Sequence, residues 1–292
     1  RRTYGDVIPA PRKGIRPITH HQPVGVVFAI TPWNFPMSMI ARKTAPALAA
    51  GCPVLVKPAS ATPYSALAMA ELAHRAGFPA GVFNVLTGSA SVMAAEMASN
   101  VKVRKVTFTG STEVGKKLTA QTAQTMKRVS MELGGNAPFV VFDDADLALT
   151  LNCAYGSKVR NAGQTCIAPD YVLLPRGKEQ EFAEAYQAAV QQLYPRISGN
   201  PDYTAIISKR HLARLKQMLR QAQSLGAQVH WMHEAAAPAA DGDTTAWGEA
   251  VERQFAPALV FGATGEMQLM QEEIFGPILP VISYEHIEDV IN

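Results

Sequence analysis

The chain has 292 residues, 48% of them hydrophobic and 17% charged, with 27 Lys and Arg against 24 Asp and Glu. That balance excludes a disordered chain, and a formal net charge of +3 with no basic block excludes a nucleic-acid or membrane-surface footprint. Single cores stop growing at about 250 to 300 residues, so the length favours two domains over one.

Residues 5–9 and 15–21 are short extended stretches separated by Pro11 and Gly14, a pattern that predicts a hairpin lying outside the main sheet. From Pro23 to Gly135 short β-branched runs (24–30, 54–56, 82–86, 103–108 and 128–132) alternate with Ala-rich segments of helical length (37–50, 65–76, 91–99 and 112–125). Near-continuous apolar strands that alternate with helices predict an α/β fold with a parallel sheet covered on both faces. Ligands of such sheets bind at the carboxyl ends of the strands, which puts weight on the turns ITPWNFP, KPASATP, LTGSAS and FTGSTEVG. A second region starts near Asn136: PFVVFDDADL, a helix over 147–160, a strand over 171–174, helices over 179–193 and 209–225 stopped by Gly226, and a surface loop over 235–249. The longest apolar stretch, 45–56, is too short for a membrane span and is broken by Pro46, Gly51 and Pro53. The chain opens on Arg1 and Arg2 in place of Met, so a segment of a longer protein is expected.

Three cysteines without a CxxC pair supply neither a disulfide framework nor a zinc ribbon, and a reducing, cytoplasmic location is expected. Cys166 lies in the small, polar, turn-forming run NAGQTC, which exposes a thiol as a nucleophile needs. Cys52 and Cys153 have apolar neighbours and are expected to be small buried hydrophobes. His230 and His233 have the spacing of metal ligands on a helix but lack a third partner, so no metal site is expected.

Glu132 ends a β-branched run beside the turn LGGN, where a carboxylate can take a proton from a thiol or a water. Asn34 follows the first strand, and its amide can donate to a developing oxyanion. The segment from Gly110 to Gly115 opens a helix whose free N–H groups and dipole favour a phosphate, although it is not a GxGxxG fingerprint. Each of these alone is compatible with an ordinary turn or cap.

ITPWNFP, KPAS, FTGSTEVG, MELGGNAP, NAGQTC and EEIFGP occur in this order over nearly the whole chain, and together they closely resemble the aldehyde dehydrogenase superfamily. The resemblance implies an aldehyde dehydrogenase-like fold, cut short at both ends. Its parts would be an oligomerisation hairpin over 1–22, a partial Rossmann-like NAD(P)-binding domain over 23–135 and a partial α/β catalytic domain over 136–292. It further implies Cys166 as nucleophile, Glu132 as general base, and Asn34 with the Cys166 N–H as oxyanion donors. For an NADP or NAD cofactor it points to Ile30, Thr31, Trp33, Lys57, Ser60, Gly110, Ser111, Leu133 and Phe275, with Glu273 on the nicotinamide ribose. A small aldehyde substrate and a homo-oligomer, with no nucleic-acid or membrane partner, follow from the same likeness.

The two halves of the chain lean differently. Residues 4–166 resemble succinate semialdehyde dehydrogenases, whereas IAPDYVLLPRGK, NPDYTAIIS and MQEEIFGPILPV in residues 167–292 resemble coniferyl or fatty aldehyde dehydrogenases. Arg42 and Arg160 match the arginines that grip the distal carboxylate in the semialdehyde enzymes, and a guanidinium pair suits fork-on-fork binding of a carboxylate. Ser60 stands where many NAD-specific relatives carry Glu, which favours NADP. Ile167 and Ala168 follow Cys166 where some members have a second, redox-active cysteine, so no disulfide switch is expected. Two readings of different class stay open: an active NAD(P)-dependent enzyme, and a catalytically silent module that keeps the motifs.

Overall fold

The computed structural model describes residues 5–233 and 253–291. The chain divides into two compact units, Arg1–Gly134 and Gly135–Asn292. The loop expected over 235–249 lies outside the described residues.

In the first unit, β1 (Val26–Ile30), β2 (Val54–Lys57), β3 (Phe83–Val85), β4 (Val103–Thr109) and β5 (Arg128–Glu132) form a parallel sheet in the order β3-β2-β1-β4-β5. They alternate with α1 (Pro36–Ala49), α2 (Tyr64–Arg75), α3 (Ala90–Ser99) and α4 (Thr112–Ala123). Side chains alternate faces along a strand, and both faces are apolar here. Val27, Val54 and Val56 pack with Ile40 of α1 and Ala66 of α2 on one face, while Phe28, Val103 and Val106 meet Met93 and Met97 of α3 on the other. The register Val27↔Val54 and Ala29↔Val56 keeps same-face residues side by side. The order of the strands reverses between β1 and β4, which opens a crevice outside their carboxyl ends. Ahead of the sheet, an antiparallel bridge Val7↔Ile18 with Thr19 N–H donating to Asp6 O at 2.8 Å forms the hairpin, and it leaves Val7, Ile8, Ile15 and Ile18 exposed.

The second unit holds β6 (Pro138–Val140), β7 (Tyr171–Pro175), β8 (Gln228–Trp231), β9 (Ala258–Phe261) and β10 (Ile278–Tyr284) in the order β6-β7-β10-β9-β8, parallel except for β8 against β9. α5 (Leu147–Lys158), α6 (Glu179–Leu193) and α7 (Lys209–Ser224) cover it. Again the strands alternate. Leu259 and Leu279 face Phe182, Tyr186 and Val190 of α6, whereas Val260 and Ile278 face Leu212, Leu215, Met218 and Leu219 of α7.

Two expectations are corrected here. Cys153 is exposed, unlike buried Cys52, because α5 turns Leu151, Ala154 and Lys158 inward and Cys153 falls on the outer face. His230 and His233 do not share a helix face: His230 lies in β8, and the His233 ring makes a 2.8 Å hydrogen bond with Tyr194 O. Among the described residues no cluster of His, Cys, Asp or Glu is arranged to hold a metal, and no helix is long and apolar enough to cross a membrane.

Candidate active site

In the first unit the singled-out residues collect at the carboxyl ends of the strands. Ile30 ends β1, and Thr31, Trp33 and Asn34 occupy the turn into α1, whose first position is Pro36. Thr31 N–H donates to Lys57 O at 3.2 Å, which ties this turn to the end of β2. The Lys57 ammonium is buried, donates to Pro58 O at 2.6 Å and lies 3.5 Å from the exposed Ser60 hydroxyl; burial holds its pKa below the ordinary lysine value. After β4, Gly110 N–H donates to Glu132 O at 3.1 Å, and a Cβ on Gly110 would strike the Phe108 ring, so the turn stays bare. Ser111 caps α4, its hydroxyl accepting from Val114 N–H at 3.5 Å. Leu133 rests on α4 only because Gly115 has no side chain to oppose it. A bare turn, a helix N-terminus, an ammonium and a hydroxyl together fit the phosphates of a dinucleotide.

Glu132, the last residue of β5, does not stand alone. The Arg42 guanidinium, from the second turn of α1, lies 3.3 Å from its carboxylate, with both side chains about half exposed. Lys43 beside it is buried, donates to Thr107 Oγ1 at 3.3 Å, and has its pKa lowered chiefly by burial, with the Glu132 charge pulling it back up. Two cations thus face this carboxylate. Sequence reasoning named Arg42 as a substrate ligand and passed over Lys43.

In the second unit Cys166 follows an unusual turn, residues Arg160–Gly163, and is a free, half-buried thiol. Asn161 (φ 53°), Ala162 (φ 51°) and Gly163 (φ 70°) are consecutive left-handed residues, of which only glycine takes that region readily. The Gln164 side chain holds the turn: its amide donates to Asn161 O at 3.0 Å and Ala205 O at 3.2 Å, and its oxygen accepts from Ile207 N–H at 2.8 Å. A Cβ on Gly163 would collide with the Gly276 carbonyl, so glycine lets the NAGQTC and EEIFGP segments touch. Arg160 is exposed at the start of the turn.

That contact brings Glu273 and Phe275 into the neighbourhood of the Cys166 turn. Glu273 is partly buried, and its carboxyl is pushed up to about 7, first by burial and then by the charge of Asp170, against Arg214, the Gly135 N–H and Lys158. Phe275 has φ 52°, a further left-handed residue other than glycine. Arg214 of α7 donates to Glu273 O at 3.1 Å and Ile274 O at 2.5 Å, and Asp170 accepts from Ile274 N–H at 2.9 Å and Ala137 N–H at 3.2 Å. Gln164, Asp170, Arg214 and Lys158 escaped sequence reasoning. A lysine on the inward stripe of α5 was the one visible signal.

The model of the aldehyde dehydrogenase family matches residues 1–292. The chain is 45% identical to the NADP(+) succinate-semialdehyde dehydrogenase of Escherichia coli (strain K12) and 45% identical to a glutarate-semialdehyde dehydrogenase of Pseudomonas aeruginosa, with all of the chain and 58% of each relative covered. It is 43% identical to a 3-sulfolactaldehyde dehydrogenase of Pseudomonas putida. Among solved structures, an aldehyde dehydrogenase from Brucella melitensis biovar abortus superposes with a TM-score of 0.89 at 45% identity, covering 99% of this chain and 58% of that one. The semialdehyde relatives match both halves of the chain, which spans somewhat over half of their length.

Proposed function

Because the chain belongs to the aldehyde dehydrogenase family, we propose that it oxidises an aldehyde to a carboxylic acid through a thioester on Cys166, with NADP or NAD as cofactor. The observation that carries the reading is the Cys166 turn: a free thiol three residues after a run of three left-handed residues, with one buried glutamine holding the turn by two hydrogen bonds that it donates and one that it accepts. Strain of this kind persists where the surroundings over-determine it, and it gathers at functional sites.

The Cys166 thiolate attacks the carbonyl carbon, and the C–S bond forms as the carbonyl becomes an oxyanion, which the Cys166 N–H and the Asn34 amide receive. A nicotinamide held there would supply the hydride acceptor that collapse of the oxyanion to a thioester requires. Glu132 takes a proton from water, the water oxygen bonds to the acyl carbon, and the thiolate leaves with the acid released. Ile30, Thr31, Trp33, Lys57, Ser60, Gly110, Ser111, Leu133 and Phe275 would hold the cofactor, with Glu273 on the nicotinamide ribose. An ammonium beside a hydroxyl, with no acid at position 60, favours the 2′-phosphate of NADP.

In this reading residues 23–135 bind the cofactor and residues 136–292 carry the nucleophile. The exposed apolar residues of the hairpin over 1–22 support a homo-oligomeric assembly, and three free cysteines support a cytoplasmic location.

The favoured substrate is succinate semialdehyde, bound through its carboxylate by Arg42 and Arg160; relatives named for succinate, glutarate and sulfolactate aldehydes all imply an anionic tail. Arg42 is already paired with Glu132, but an exposed pair is worth only about 0 to 1 kcal/mol, so a substrate carboxylate can compete for it. Coniferyl-type aldehydes are the second reading, supported by the motifs after Cys166. The test is reduction of NADP with a panel of aldehydes. Succinate semialdehyde should be preferred, Cys166→Ala should be inactive, and Arg160→Ala should raise KM for succinate semialdehyde up to about fivefold more than for butanal, since one exposed charged contact is worth up to about 1 kcal/mol. Equal losses on both aldehydes, or preference for coniferaldehyde, would favour the second reading. No reduction with any aldehyde would favour a silent module.

A further inference from the structure

Arg42 and Glu132 meet on one face of the first sheet. Side chains alternate along a strand, and the register Thr107↔Ser130 and Thr109↔Glu132 puts Lys105 and Thr107 of β4 on the same side as Ser130 and Glu132 of β5. That is the side α1 covers, and the lysines on it are committed to hydroxyls: Lys43 of α1 donates to Thr107 Oγ1 at 3.3 Å and Lys105 to Ser130 Oγ at 2.6 Å. Arg42 is the cation that reaches a carboxylate. Its Nη2 lies 3.3 Å from Glu132 Oε1, and among the described residues this is the only ion pair of either side chain. The two side chains are 56% and 44% exposed, so a solute can reach the pair and part it. In the proposed function both partners serve other groups: Arg42 binds the carboxylate of the substrate, and Glu132 takes a proton from water.

We infer that Arg42 determines specificity in the water step as well as on binding: its ion pair holds Glu132 against α1 until the carboxylate of a bound semialdehyde takes the guanidinium and releases the base. This rests on the roles proposed for Arg42 and Glu132. A carboxylate that takes a proton from water must turn an oxygen to that water, and a pair that draws it to α1 withholds it. A ligand shifts such an equilibrium by its preference for one of the two states. The substrate carboxylate prefers the state in which Glu132 has left Arg42, because like charges crowded on one guanidinium repel each other. A neutral aldehyde has no such preference. An exposed pair is weak, so the gain in released base is at most about fivefold. An anionic tail is thereby selected twice, once when the aldehyde binds and again when its thioester is hydrolysed.

The experiment uses propanal and formate, which together supply the two ends of succinate semialdehyde without the bond that joins them. The whole chain, in excess over propanal and with NADP, is quenched in acid at intervals, and loss of the propionyl group from the Cys166 peptide is followed by mass spectrometry. That loss reports hydrolysis alone, even where another step limits turnover. Formate should speed it up to about fivefold beyond potassium chloride at the same ionic strength, the control for salt screening of an exposed pair. In Arg42→Ala, or Arg42→Gln if the melting temperature of the first shows poor folding, hydrolysis should be fast without formate and indifferent to it. Formate that acts no better than chloride, or slower hydrolysis in the Arg42 variant, would overturn the inference and leave Arg42 as a ligand or a support of Glu132. Absence of any propionyl group on Cys166 would instead overturn the thioester reading, and the inference with it.

Discussion

The turns of the first unit and the Cys166 turn of the second place chemistry by different physical means. In the first unit, Asn34, Lys57, Ser111 and Glu132 stand where parallel strands end, and regular structure positions them: the β-ladder, a proline at the first position of α1, a serine cap on α4. In the second, Cys166 follows backbone in the left-handed region, and tertiary polar contacts from Gln164, Asp170 and Arg214 hold it and the segment it touches. The contrast teaches that the first kind of site is held by many weak, local and redundant contacts, whereas the second depends on a few side chains with no substitutes.

The largest expected effect is at Gly163. Gly163→Val would put a β-branched residue at φ 70° with its Cβ against the Gly276 carbonyl, where no flexible side chain can yield. A loss of about 4 kcal/mol or more, or failure to fold, should appear in urea denaturation; a loss under about 1 kcal/mol would mean that the two segments do not touch. Next comes Gln164→Ala, which strands the Ala205 carbonyl and the Ile207 N–H in a partly buried place, leaves Asn161 O with only the backbone N–H of residue 164, and should cost about 2 to 4 kcal/mol by the same measurement. Its turnover number should fall more than its KM, because the turn and not the binding surface is loosened. Ser111→Ala, by contrast, removes one long cap at 3.5 Å and should cost about 1 kcal/mol or less. If Ser111→Ala proved as damaging as Gln164→Ala, the contrast between the units would collapse.

The same contrast decides what could be read in the chain before its structure. β5 over Arg128–Glu132 and α6 over Glu179–Leu193 match the expected spans residue for residue, because alternating apolar runs and a 3.6-residue stripe report local geometry. The site residues at strand ends were visible for the same reason, since a turn after a strand is a sequence feature. β9 and β10 escape a sequence reading: Pro280 inside β10 argues against a central strand, yet it lies opposite Val260 of β9 at a point where the ladder to β7 has not begun, since that pairing starts at Val281. Cys153 is expected to be buried and is exposed, because apolar neighbours reveal composition, not direction. The polar contacts that hold the Cys166 turn join residues 164 to 205 and 207, and 170 to 274, and no local pattern announces pairs so far apart.

The central claim is that Cys166 forms the acyl-enzyme, and trapping that species tests it most directly. Glu132→Gln should be mixed with succinate semialdehyde and NADP, quenched in acid and analysed by peptide mass spectrometry. The account predicts a burst of reduced cofactor equal to the enzyme present, with one acyl group on the peptide that carries Cys166 and none on Cys52 or Cys153. A burst whose acyl group maps to Cys153, or turnover that persists in Cys166→Ala, would contradict it.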